Sequence, residues 1–268
     1  MNTSAAPSIL LVGLGRMGGA LLGGWREKGY DRVLAVDPVL PPSPAPEVPV
    51  VAGAEALPGD FHPDAVVFAV KPQQADAVLP QYRRFAGSAL FVSIMAGRTI
   101  GGLVRQLGEV AAVVRAMPNT PAAIGQGVTV ACAGGRVSAR QRALAESLLS
   151  ATGAFAWVED EALLDVVTAV SGGGPAYVFL LAELLERAAA AQGIEPGLAR
   201  LMARQTVIGS GALLAASEED AAALRRAVTS PKGTTERALA VLMEEHAWPE
   251  EIMEAVVAAM TRSRELAG

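Results

Sequence analysis

An apolar run that breaks into glycines, Ile9-Leu10-Leu11-Val12-Gly13-Leu14-Gly15-Arg16-Met17-Gly18-Gly19, limits what this chain can fold into more than any other stretch. It reads as a strand, a tight turn and the opening of a helix. Gly13 allows the turn, Gly15 lets backbone N–H groups approach a pyrophosphate with no Cβ in the way, and Gly18 lets the helix lie close to the strand. A phosphate would then sit on the helix N-terminus, where unpaired N–H groups and the helix dipole favour an anion. Leu14, Arg16 and Met17, set between the glycines, join them as candidate cofactor contacts. The spacing by itself is a weak signal in a chain with 28 glycines among 268 residues, and its context is the stronger one. A second strand-like run, Arg32 to Val36, ends in Asp37, nineteen residues past Gly18. An acidic residue near that offset is where a dinucleotide-binding fold places a carboxylate on the adenosine ribose. The competing reading is a glycine-rich packing turn with no ligand.

After Asp37 comes a stiff proline-rich loop, Pro38 to Pro46, which its position would put over the adenine. Val48 to Ala52 is a short strand candidate. Ala65 to Val70 is a fully apolar run of the kind buried on both faces of a parallel sheet, and Lys71-Pro72-Gln73 ends it. Ligands of doubly wound sheets lie beyond the carboxyl ends of the strands, so Val70, Lys71 and Pro72 are candidate cofactor contacts; a solvated strand-end lysine is the plain alternative for Lys71. Ala89 to Ile94 predicts the next strand, Thr99 a helix cap, and Val110 to Arg115 a further strand running into Met117-Pro118-Asn119-Thr120-Pro121. Gly127 to Cys132 and Ala154 to Val158 complete the strands, with a helix over Ser138 to Ser150. Strands alternating with helices imply a mostly parallel α/β sheet, here a Rossmann-type doubly wound domain over residues 1–159.

From Asp160 the strand-like alternation stops, and alanine- and leucine-rich helices take over, predicting an all-helical domain over residues 160–268. Asp160 can cap a helix through Val170, and Ser171-Gly172-Gly173-Gly174-Pro175 interrupts it. The next helix, Ala176 to Gln192, is apolar almost all round, which one small domain has little room to bury. A partner subunit is its natural cover, so this region is predicted to form an obligate dimer. Gly193 is placed to end that helix, Glu195-Pro196 to start another, and Ser217-Glu218-Glu219-Asp220 reads as an N-cap with acidic first-turn residues for a third that ends near Val228. Then Thr229-Ser230-Pro231-Lys232-Gly233-Thr234-Thr235-Glu236 repeats the pattern of a glycine- and hydroxyl-rich loop before a helix. A small carboxylate would fit it, held by the Thr234 and Thr235 N–H groups, the Ser230 hydroxyl and Lys232. A capped helix start without a ligand is the alternative.

Composition narrows the class. A net charge of −5 and only 4% aromatic residues argue against nucleic acid as the main partner. The single cysteine, Cys132, permits no intramolecular disulfide and points to a reducing compartment. The first residues lack the basic start of a secretion signal, and the first apolar run meets Gly13 and Gly15 before it could span a bilayer, so a cytoplasmic protein with no membrane partner is expected. His62 and His246 have no second ligand at metal spacing, and Cys132 reads as a packing position. Chemistry beside a dinucleotide without a metal or a nucleophile implies hydride transfer.

The motifs in both halves resemble one family, pyrroline-5-carboxylate reductase. The resemblance covers nearly the whole chain: Val12 to Gly19, Phe68 to Gln73, Val92-Ser93-Ile94 with Ala96-Gly97, Arg115 with Met117 to Pro121, Ala169 to Gly172 with Gly174 to Tyr177, and Ala227 to Pro231 with Gly233 to Thr235. It implies a Rossmann domain followed by an all-α dimerisation domain that interlocks with a second subunit, the homodimers often assembling into rings. It further implies an active site between the cofactor domain and a helical domain, where NAD(P)H delivers hydride to a cyclic imine bearing a carboxylate and the product is proline. Ser230, Gly233, Thr234 and Thr235 would hold the carboxylate, with the Thr235 hydroxyl also on the ring nitrogen as the catalytic contact. Val70, Lys71, Ala96, Gly97, Met117 and Asn119 would line the nicotinamide side.

Three residues depart from the family pattern. Gly173 stands where serine is usual, Lys232 replaces the first glycine of a pair, and Asp37 offers a carboxylate where many members place a small polar or basic residue. A carboxylate there would repel a 2′-phosphate, so NADH is expected to be preferred over NADPH. Two other readings remain open at this point. A reductase on the same plan could act on another cyclic imine or on a hydroxy acid, although the helical half offers only Lys232 as an acid/base lysine. The other is a dinucleotide-binding protein without catalysis.

Overall fold

The computed structural model describes residues 6–39 and 45–267. The chain runs β1 (Ile9–Val12), α1 (Arg16–Glu27), β2 (Val33–Val36), β3 (Val50–Val51), β4 (Ala65–Phe68), α2 (Ala75–Val78, continued by a 3-10 helix over Leu79–Phe85), β5 (Leu90–Ser93), α3 (Ile100–Leu107) and β6 (Ala112–Met117). It continues with β7 (Gly127–Ala133), α4 (Ala139–Leu149), β8 (Gly153–Trp157), α5 (Leu163–Val167), α6 (Gly174–Ala191), α7 (Pro196–Ala216), α8 (Ala221–Ala227), α9 (Thr234–Leu242) and α10 (Trp248–Ala267). Among the described residues one sheet carries these strands in the order β3-β2-β1-β4-β5-β6-β7-β8. β1 to β6 pair in parallel, β7 runs antiparallel to β6, and β8 is parallel to β7.

Every residue of β1 and β4 is buried, which is why neither strand alternates in hydrophobicity: the sheet is covered on both faces. On one face Leu11, Leu21, Leu22, Trp25 and Leu148 bring α1 and α4 onto the strands, and the Trp25 indole N–H donates to the Leu148 carbonyl at 2.8 Å. On the other, Leu10, Phe68, Phe91, Leu79, Tyr82 and Leu103 pack α3 and the helical turns after β4. This is the doubly wound sheet expected from the alternating pattern. The part of the proline-rich loop over residues 40–44 lies outside the described residues, and the chain re-enters the core at Ala45 and Val48.

Some boundaries differ from the sequence expectations, each for a local reason. β6 begins at Ala112 and continues to Met117, because Gly108 to Ala111 forms a turn closed by the Ala111 N–H on the Gly108 carbonyl. The helix expected from Asp160 to Val170 is α-helical only to Val167 and widens into a π-turn over Thr168–Gly172. There the Thr168 and Ser171 hydroxyls donate back to the carbonyls of Leu164 and Val167. The cap before α8 is Asp220, whose Oδ1 accepts the Ala223 N–H at 2.6 Å, while Ser217 closes a separate turn through Glu219.

The chain divides into two compact units, one comprising the residues up to Gly172 together with those from Ala259 onward, the other Gly173–Ala258. The expected division at residue 160 falls earlier than this one, because α5 packs on β6 and β7 with Leu164 and Asp165 buried. The last turns of α10 also return to the first unit, where the Ser263 hydroxyl donates to Asp165 Oδ1 at 2.8 Å. In the second unit α6 and α7 pack together across the turn at Gly193, and Ala199 and Ala203 of α7 are buried. Among the described residues, Leu163–Ala191 is a helical stretch long and apolar enough to cross a membrane by length and composition alone, and it contains the π-turn and the Gly172-Gly173-Gly174-Pro175 step.

Candidate functional site

The glycine turn after β1 has the geometry its residues dictate. Gly13 adopts φ +100°, its N–H donates to the Val36 carbonyl at 2.8 Å, and a Cβ placed on it would come within 2.8 Å of the Ala69 carbonyl oxygen. A Cβ on Gly18 would drive into the Gly13 carbonyl, so the helix can approach the strand only with glycine there. A Cβ on Gly15 would touch nothing within 4 Å, the turn opening outward at that point. Gly15 begins α1 without a side-chain cap, and the first turn carries no acidic residue, so its leading amides are free to meet an anion. These features fit a dinucleotide pyrophosphate.

Asp37 stands at the end of β2 and reaches the same turn. Its Oδ2 accepts the Leu14 N–H at 2.8 Å and its Oδ1 the Val39 N–H at 3.0 Å. Each oxygen keeps a lone pair for a further donor, such as a ribose hydroxyl. The Leu14 side chain is buried, so only its backbone faces the turn; Arg16 is exposed and Met17 half-buried.

A cavity of about 250 Å³ lies at the carboxyl ends of the central strands, lined by Met17, Ala69, Val70, Ile94, Met117, Pro118, Asn119, Thr120 and Gly172. It brings together four of the residues expected at the cofactor, Met17, Val70, Met117 and Asn119. Asn119 is buried, and its Oδ1 accepts the Val128 N–H at 2.9 Å, fixing the Met117-Pro118-Asn119 segment against β7. Lys71, Pro72, Ala96 and Gly97 stand beside this cavity in the sequence and do not line it. Lys71 is exposed, and Gly97, at φ +71°, is covered by Leu266, which a Cβ on Gly97 would approach to 3.1 Å. Ala69, Ile94, Pro118, Thr120 and Gly172 line the cavity as well; all five lie in the stretches that carry the family resemblance, but none was expected at the cofactor.

An ionic cluster unremarked in the sequence lies on the strand that leads into the segment. Arg115, a charge in the otherwise apolar strand Ala112–Met117, is 4% exposed, and its Nη1 lies 3.0 Å from Glu161 Oε1. Asp165 Oδ1 stands 3.7 Å from Arg115 Nη2, and Glu161 Oε1 also accepts the Ile100 N–H at 2.7 Å, at the start of α3. Cys132 pairs with Arg115 across β6 and β7. Burial, and then the nearby Glu161 and Glu159 charges, push its thiol above the ordinary cysteine range, away from nucleophilic use.

In the second unit, Gly233 begins α9 with no side-chain cap, and its N–H donates to the Ser230 carbonyl at 3.0 Å. Thr234 and Thr235 are the first two helical residues, so their N–H groups point out of the helix end without intrahelical partners. Ser230, Thr234 and Thr235 are exposed. Lys232 holds φ +59°, where glycine is usual, and Glu236 Oε2 steadies it by accepting its N–H at 2.8 Å. The loop therefore offers two unpaired amides and three hydroxyls around one helix end, a cradle for a carboxylate.

Comparison with known proteins covers both units. Residues 161–266 match the family described as pyrroline-5-carboxylate reductase dimerisation, and residues 8–97 match NADP oxidoreductase coenzyme F420-dependent. The pyrroline-5-carboxylate reductase of Pseudomonas aeruginosa is 39% identical over 276 residues, covering 98% of each chain. Among solved structures, a pyrroline-5-carboxylate reductase from Coxiella burnetii superposes with a TM-score of 0.90 at 33% identity, covering 98% of this chain and all of that one. The Plasmodium falciparum pyrroline carboxylate reductase, solved with NADP bound, gives 0.83 at 29% identity over 98% of both chains.

Proposed function

This chain belongs to the pyrroline-5-carboxylate reductase family, and on that premise we propose that it reduces 1-pyrroline-5-carboxylate to L-proline with NAD(P)H, the last step of proline biosynthesis. The observation that carries the reading within the chain is the cavity walled by Met17, Val70, Met117 and Asn119 next to an uncapped glycine turn. The dinucleotide, when bound, supplies the hydride. The chain's own residues bind and orient. The glycine turn takes the pyrophosphate on the amides of α1, Asp37 takes the ribose, and the Met117 to Asn119 segment shapes the nicotinamide end, with Lys71, Pro72, Ala96 and Gly97 forming the neighbouring turns.

The second cradle takes the substrate. Ser230, Thr234 and Thr235 hold its carboxylate, each charge-assisted bond contributing about 1.5 to 3 kcal/mol. The Thr235 hydroxyl meets the ring nitrogen. The protonated imine is the better electrophile: hydride adds to the imine carbon, the C=N π pair moves to nitrogen, and the ring becomes a secondary amine. No strong acid is needed, so proximity and orientation carry most of the rate.

Asp37 favours NADH, because its charge repels a 2′-phosphate. The helical unit joins a second copy: none of the residues of α6, all of them described, is buried, and Phe179 is 68% exposed. An apolar groove of about 410 Å³, lined by Val178, Leu181 and Leu184 of α6 and by Trp248 and Ile252 of α10, extends the same surface. A homodimer covers it, the dimers assemble into a ring, and the enzyme works in the cytoplasm. Steady-state reduction of 1-pyrroline-5-carboxylate with NADH and NADPH in parallel tests this reading, with turnover favouring NADH expected. Turnover favouring NADPH would keep the reductase and overturn the role of Asp37, whereas cofactor binding with no turnover would overturn the substrate.

A further inference from the structure

The turns that follow β4 and β5 are joined by one guanidinium. Arg98, next to Gly97, donates from Nε and Nη2 to the Pro72 carbonyl oxygen at 3.1 and 2.7 Å, and its Nη1 lies 2.9 Å from Asp76 Oδ1. Gln106 Nε2 donates to the same Asp76 oxygen at 2.7 Å, anchoring the carboxylate to the end of α3. Pro72 closes the turn that begins with Ala69 and Val70, two residues of the cavity wall. The Arg98 turn is itself fixed on its other side, by Leu266 over Gly97 and by the Ile100 N–H on Glu161. Arg98 therefore carries the position of a well-anchored turn across to the turn that forms the cavity wall.

We propose that Arg98 is a positioning residue for hydride transfer: its fork on the Pro72 carbonyl sets the spacing of the two turns and so the placement of the nicotinamide end of the cofactor. The inference rests on the cofactor reading given above. Physical chemistry favours a positional role over a stabilising one. With Arg98 30% exposed and Asp76 63% exposed, the ion pair adds little to stability. A planar fork that places two donors on one acceptor nevertheless fixes geometry, and a displacement of about 1 Å at a reacting centre can cost about 100-fold in rate.

The test uses the full-length enzyme and single-turnover reduction of 1-pyrroline-5-carboxylate at saturating NADH, with 4-deuterated NADH to report the hydride step. Arg98→Met is expected to slow that step about tenfold and to enlarge its isotope effect, with the thermal midpoint within about 3 °C of wild type. Asp76→Asn leaves the Pro72 fork in place and should stay within about twofold of wild type. A wild-type hydride step in Arg98→Met overturns the inference, as does an Asp76→Asn loss equal to that of Arg98→Met. Should Arg98→Met not fold, Arg98→Lys keeps the charge and loses the fork; it is expected to be about threefold slower, and a wild-type rate overturns the inference. Absence of turnover in the wild-type enzyme would instead strike the functional reading beneath it.

Discussion

The Asp37 carboxylate accepts the Leu14 N–H at 2.8 Å, so the residue that ends β2 also closes the glycine turn that follows β1. The side chain holds the turn and, in the function proposed above, also sets the charge beside the ribose, and the two roles can be separated. Asp37→Asn keeps an oxygen acceptor for Leu14 and removes the charge. If the like-charge penalty on a 2′-phosphate is about 2 kcal/mol, kcat/KM for NADPH relative to NADH should rise about 30-fold in that variant. An unchanged ratio would remove Asp37 from cofactor choice. Asp37→Ala loses the acceptor as well and should cost about 1 to 3 kcal/mol of stability, read from urea unfolding.

Thr235 is the second helical residue of α9, beside the uncapped Gly233. In the function proposed above its hydroxyl meets the ring nitrogen and its N–H the carboxylate; Thr235→Ala keeps the N–H and removes the hydroxyl together with the γ-methyl, while Thr235→Ser removes the methyl alone. We expect kcat/KM for the imine to fall about 100-fold, with the NADH dissociation constant unchanged by fluorescence titration. Thr235→Ser should recover most of the loss. Turnover like wild type in the alanine variant would exclude the hydroxyl from the mechanism.

The elements that the sequence makes legible are those decided locally. Buried parallel strands show as unbroken apolar runs, and Gly13, Gly18 and Thr99 announce their turns and caps by their own chemistry. What stays hidden depends on partners far along the chain. Asp165 meets Ser263 across 98 residues and Arg115 meets Glu161 across 46, so neither the return of α10 nor the extent of the first unit could be read from the change of pattern at Asp160. The choice between Ser217 and Asp220 as cap was invisible for another reason: both have the right side chain, and only the turn geometry decides. Within the candidate site, Met117 and Asn119 were legible through their prolines and their motif. Ile94 and Gly172 also stand in motif stretches, but an aliphatic side chain and a glycine give no chemical reason to expect them at the cavity that packing brings them to.

The apolar surface of the helical unit makes its own prediction. Phe179 and Leu180 lie on a helix with no buried residue, and a charge placed there should oppose any partner that covers it. Phe179→Asp is expected to weaken self-association by at least about 2 kcal/mol, roughly 30-fold in the dimer dissociation constant. Light scattering after size exclusion should then show monomer at micromolar concentrations at which the wild type forms the proposed dimer or its ring, with activity lost alongside the assembly. A variant that stays dimeric would place the interface elsewhere.

Alkaline stability offers a prediction independent of the active site. Tyr82 is 2% exposed and packs edge-on to Phe68 with ring centroids 5.4 Å apart. Burial first, and then the charge of Glu55, push its hydroxyl up to about 12, with Arg84 acting in the opposite direction. In the unfolded chain a tyrosine ionises near about 10, so between about pH 10 and 12 the unfolded state has released a proton that the folded state retains. The contribution is present in full below about pH 10 and is lost as pH rises through the window, at about 1.4 kcal/mol per pH unit. Tyr82→Phe keeps the ring and removes the titrating group. Its stability should therefore fall less steeply than that of the wild type between pH 9 and pH 11, measured by urea unfolding at each pH. Parallel profiles for the two proteins would show that Tyr82 ionises as readily in the folded chain as in the unfolded one.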